Sequence, residues 1–204
     1  MEKIGRGESK GITFDEADAM TTFWHEITHN RNIVGYIRKT DLQTKYMELA
    51  NEFVARKTLP EFYSKLGCRK TPFPEFMSNR DSTGYNKMVN AYNYVINTLK
   101  LDNSKVLEAV KKHLFKERYT IQKDGLVKGL IDGGLKKVNG TKLKTSDVNT
   151  LVTMCKDKYS NTEINDWLKA HGFIAGAVIV SAKINIILRG VKFHIESLII
   201  IAFN

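Results

Sequence analysis

Apolar residues recur at helical spacing through most of the chain, and polar punctuation divides them into segments. Phe14, Ala17, Met20, Trp24, Ile27 and Thr28 mark one stripe. Thr13-Phe-Asp-Glu16 is a capping box that starts the helix beneath it, and Asn30-Arg-Asn32 ends it. A second capping box, Thr40-Asp-Leu-Gln43, opens a helix expected to run to about Arg56. Pro60 then restarts a short helical turn that Gly67 closes. Residues 68–83 read as irregular, with Phe73, Phe76 and Met77 tying the loop to the core.

Five further helices are predicted. The first spans Gly84 to Leu99, with Tyr85, Met88, Val89, Tyr92, Val95 and Ile96 inward. Asp102 or Asn103 caps the next, which ends near Phe115. A third covers Thr120 to Leu135; Gly125, Gly129, Gly133 and Gly134 weaken it, and their spacing implies close helix packing. Asn139-Gly140 marks a turn. Thr145 or Ser146 starts a helix to about Tyr159, and the Ser160-Asn-Thr-Glu163 box starts the last, ending at Gly172. These two short helices also form a helix-turn-helix-like unit that could touch DNA. Beyond Phe173 the pattern turns to alternation, with Arg189-Gly190 placed to turn a hairpin. The expected organisation is motif helices in 1–67, a helical body in 68–172 and a hydrophobic, β-prone tail in 173–204.

Charge and cysteine content change this picture little. The net charge is +10 with basic residues spread widely, which permits a nucleic-acid or acidic partner. Cys68 and Cys155 are isolated and form no framework. The tail is interrupted by Lys183, Arg189, Lys192 and Glu196, so no membrane span is expected. The first twenty residues lack an apolar signal core, and a cytoplasmic location is expected.

The chemistry lies in His25-Glu-Ile-Thr-His29, an H-E-x-x-H motif within the first helix. Histidines four apart share a helical face, so both imidazoles can reach one metal ion. Glu26 can then act as general base on the water that the metal activates. A catalytic zinc needs a third protein ligand. No third histidine follows at short range, but the second helix carries Glu48 and Glu52 one turn apart on one face.

Eighteen residues separate His29 from Glu48, and in this spacing the chain resembles the gluzincin metallopeptidases. The resemblance covers Thr22 to about Ala55. It implies a mainly α, zincin-like core in which His25, His29 and Glu48 bind Zn2+, Glu26 is the base, and Glu52 or Asn51 orients a ligand histidine. Asn51-Glu-Phe-Val-Ala55 is also similar to the Asn-Glu-Gly-Phe-Ala stretch of aminopeptidases, which would make Glu52 the third ligand. Either register implies a peptide or protein substrate. Tyr63, Tyr92, Tyr94 and His113 are candidate oxyanion donors, while His171 and His194 read as bystanders. In gluzincins a sheet edge holds the substrate; here either the sequence is part of something larger, or the fold is pared down, or the C-terminal hairpin supplies the strands. The stretch Phe23 to His29 and the helix from Lys45 to Arg56 also loosely resemble helical modules of phage head-morphogenesis and mobile-element proteins, which implies a structural or processing role in a virion or conjugative element.

Overall fold

A computed structural model describes residues 12–34, 38–74, 85–138 and 140–175, together with the backbone of 178–188 and 191–201. The fold is mainly α. Its helices are α1 (Phe14–Asn30), α2 (Asp41–Lys65), α3 (Asn86–Thr98), α4 (Asn103–Lys116), α5 (Gln122–Asp132), α6 (Thr145–Lys156) and α7 (Asn161–Ala170). A 3-10 turn, Tyr119–Ile121, precedes α5. Strands β1 (Val178–Leu188) and β2 (Val191–Ile201) pair antiparallel, with Val178 opposite Ile201. Their side chains and the expected turn at Arg189-Gly190 lie outside the described residues, as do Phe76, Met77 and Asn139. Among the described residues no helix is long and apolar enough to cross a membrane.

The three capping boxes start their helices as the side-chain chemistry dictates. Glu16 accepts from the Thr13 amide at 2.8 Å while Thr13 Oγ1 accepts from the Glu16 amide at 3.2 Å. Thr40 with Gln43 and Ser160 with Glu163 repeat the exchange. Phe73 meets Phe14 edge-on at 5.5 Å, so the segment after α2 is pinned to α1.

Helix α2 departs from the expected break after Arg56, running unbroken through Pro60 to Lys65. An interior proline costs about 3 kcal/mol. The turns around it bury Leu59, Phe62 and Tyr63, and each large apolar side chain fully buried contributes about 1.5–3 kcal/mol. Burial therefore outweighs the lost backbone bond.

Helix α2 also joins the two cores. Its first half, through Leu49, Phe53 and Val54, packs into a large cluster with α3 to α7. Its second half, through Leu59, Phe62 and Tyr63, packs against Ala17 and Trp24 of α1 in a smaller one. Trp24 stacks on Phe62 at 4.6 Å and donates from Nε1 to Thr58 Oγ1 at 3.0 Å. These contacts fix the rotation and register of α1 on α2.

The other end of α1 is held by the helical body. Asn32 Nδ2 donates to the carbonyls of Leu114 and Glu117 at 2.6 and 2.8 Å, and the Ile33 amide donates to the Phe115 carbonyl. Helix α4 lies close to α5 because Gly125, Gly129 and Gly133 leave no side chain between them. A Cβ at Gly129 would stand 2.7 Å from Val110 Cγ2 and 3.0 Å from the Tyr92 hydroxyl. Gly129→Ala is thus expected to lower stability by up to about 2 kcal/mol in urea unfolding. Overpacking at about 1–3 kcal/mol exceeds the helix-propensity gain of about 1 kcal/mol.

Candidate metal centre

The crossing of α1 over α2 brings two i,i+4 pairs face to face, His25 and His29 from one helix, Glu48 and Glu52 from the other. His25 Nε2 and His29 Nε2 stand 3.1 Å apart. Glu48 Oε2 lies 3.4 Å from the first and 3.3 Å from the second. Three lone-pair atoms thus converge on one point, and His25, His29 and Glu48 form a group that could hold a metal ion. Only 12–17% of each of these side chains is exposed, which limits competition from water.

Glu52 stands behind the triangle rather than in it. Its Oε2 meets His25 Nδ1 at 2.5 Å, so His25 is held at one ring nitrogen while the other faces the triangle. Glu52 is itself gripped by Arg56 Nε at 2.6 Å, and Arg56 donates onward to Asn86 Oδ1 at the start of α3. Asn51 Nδ2 donates to the His25 carbonyl at 3.1 Å, so it braces the α1 backbone and not a ring nitrogen. Tyr119 donates its hydroxyl to the His29 carbonyl.

A cavity of about 500 Å³ opens in front of the triangle. Glu26 lines it and is exposed. Tyr85 and Tyr119 line it too. The Tyr85 ring lies parallel to His25 with centroids 6.4 Å apart. Its phenol is pushed above its ordinary range by burial and then by the charges of Glu48, Glu26 and Glu52, so it stays protonated at neutral pH.

Neither tyrosine is marked by the sequence. Tyr85 falls in the apolar pattern of α3, yet it sits at the N-cap and faces the cavity. Tyr119 precedes α5 and arrives only through the packing of α4 and α5. The four oxyanion donors expected from sequence lie elsewhere. Tyr63 is buried in the smaller cluster, and Tyr92 donates to the Leu126 carbonyl inside the larger one. Tyr94 packs on the larger cluster, and His113 faces the Ile121 carbonyl. His171 stacks on Trp167, away from the site.

Without metal, the converging lone pairs attract a proton. Burial disfavours a charged His25, but its hydrogen bonds to Glu48 and Glu52, aided by their charges, raise its pKa to about 9. Burial likewise opposes ionisation of Glu48, and the hydrogen bonds from His25 and His29 overcome it and lower the pKa to about 2. Burial opposes the Glu52 charge as well, and His25 and Arg56 more than offset it.

The chain matches no protein-family model, no curated protein and no solved structure. The functional argument therefore rests on this geometry.

A pH dependence follows for the metal-free protein. The raised His25 value contributes stability that is fully present below 6.5 and lost as pH rises through about 9. The lowered Glu48 value contributes stability present above 4.5 and lost as pH falls through about 2. The melting temperature of the metal-free chain minus that of metal-free Glu48→Gln should therefore peak between pH 4.5 and 6.5 and shrink toward pH 9. A flat difference across that range would contradict the ion cluster.

Proposed function

We propose that the chain is a zinc-dependent, metallopeptidase-like hydrolase in which His25, His29 and Glu48 hold the metal. The carrying observation is the donor triangle, with edges of 3.1, 3.3 and 3.4 Å. Bonds of about 2.0–2.1 Å on a tetrahedron put neighbouring donors about 3.3 Å apart, and on an octahedron about 3.0 Å. The edges are compatible with three corners of a tetrahedron. The donor set supports zinc as well, since two imidazoles and one carboxylate with an open fourth position are a catalytic zinc arrangement. The contact of Glu52 with His25 Nδ1 supports Glu48, rather than Glu52, as the third ligand.

Zinc bound there supplies a Lewis acid and acidifies a water molecule to a pKa near 7. The chain's own residues do the rest. Glu26, exposed beside the triangle, takes a proton from the attacking water and returns it to the leaving amine. Glu52, held ionised by its hydrogen bond with His25 and by Arg56, keeps the His25 ring oriented. Tyr85, still protonated, offers a hydrogen bond to the oxygen that gains charge.

Elemental analysis of the purified chain is expected to find one zinc per molecule, lost in His25→Ala and in Glu48→Ala. Glu52→Gln should keep the metal but bind it about 10- to 100-fold more weakly in a chelator competition. Metal retained in Glu48→Ala and lost in Glu52→Ala would exchange their roles. Glu26→Gln should retain zinc and lose hydrolysis of an unfolded protein substrate. Tyr85→Phe should lower kcat by about 10²–10³, with zinc content unchanged.

A further inference from the structure

A second concavity, about 740 Å³, lies between α4 and α5. Its floor includes Ala109 and the half-buried ring of Phe115. Its rim is basic. Lys105, Lys112 and Lys116 are all exposed and fall at intervals of seven and four residues, a single stripe about 16 Å long on α4. Glu108 and Asp132 also border the groove, but each is paired with a lysine, Lys111 at 2.6 Å and Lys128 at 2.9 Å. Lys112 and Lys116 have no carboxylate partner among the described residues.

The groove adjoins the metal cavity. Asn30 and Asn32 line the cavity, and Arg31 between them lies with its guanidinium 4.4 Å from the Phe115 ring centre. Among the described residues, those lining the cavity come from helices and turns.

We propose that the α4–α5 groove docks an acidic, amphipathic segment of a protein partner beside the metal cavity. The argument is one of complementarity. An apolar floor under a basic rim suits a helix with one apolar and one acidic face, laid into the groove for about three turns. A phosphate backbone would meet the basic rim but has no apolar face to lay on Ala109 and Phe115. Docking itself does not depend on the hydrolase reading, although its role in presenting a substrate rests on that reading.

The test uses the full chain carrying Glu26→Gln and a fluorescein-labelled helical peptide of Glu, Ala and Leu, about three turns long. Fluorescence anisotropy should show binding that weakens with added salt, and by at least about tenfold in Lys112→Glu/Lys116→Glu. Circular dichroism should be unchanged in that variant. Absence of binding, or binding that the double substitution leaves intact, overturns the proposal. Tighter binding of duplex DNA of equal charge, lost in the same variant, overturns it in favour of nucleic acid.

A second arm uses the chain with Glu26 intact. A cleavable peptide fused to the acidic segment should show a lower KM than the same peptide alone, and Lys112→Glu/Lys116→Glu should remove the difference. Binding without any cleavage sinks the hydrolase reading and leaves the docking surface standing. Cleavage indifferent to the acidic segment does the reverse.

Discussion

Everything at the candidate centre depends on one helix crossing. Two imidazoles one turn apart on α1 meet two carboxylates one turn apart on α2, and a small rotation of either helix would separate them. Trp24 prevents that rotation by stacking on Phe62 and bonding to Thr58. Ala17, fully buried, lets the helices come close. With the helices locked, His25, His29 and Glu48 present lone pairs to one another, an arrangement that needs a positive charge at its centre. The raised His25 pKa and the capacity to hold a metal ion express the same electrostatic demand.

The surrounding helices stabilise that geometry from behind. Arg56 neutralises Glu52 and reaches α3 through Asn86, so the orientation of a ligand ring is tied to a helix outside the motif. Asn32 and Tyr119 tie the end of α1 to α4 and to the turn before α5. The glycines of α5 act one step further out, because the close approach of α4 sets where Asn32 and Tyr119 find their partners.

How much of this could be read from the amino acids differs from residue to residue. The His25–His29 pair and the Thr13 and Thr40 caps are local patterns, and local patterns are legible. Glu48 and Glu52 share a helix face, so spacing alone leaves both as candidate ligands. What distinguishes them is which ring nitrogen of His25 each one reaches, and only the tertiary crossing sets that. Tyr85 and Tyr119 carry no motif and become neighbours through packing across long separations in sequence. The Pro60 break was a sound local inference, overridden because buried Leu59, Phe62 and Tyr63 contribute more than the proline costs. Tyr63 and Tyr92 had plausible chemistry and the wrong address, since nothing in a tyrosine's local sequence tells a core position from a cavity wall.

The membership of α2 in both hydrophobic clusters has a consequence for the life of the molecule. An ion held between α1 and α2 stabilises the folded state by mass action, by about 2.7 kcal/mol at a concentration 100 times its dissociation constant. Because α2 belongs to both cores, that energy reaches the whole helical body and is not confined to one end. Cells remove chains according to how often they open, and a change of this size alters abundance several-fold. A chain able to hold such an ion would open less often as a whole when the ion is bound.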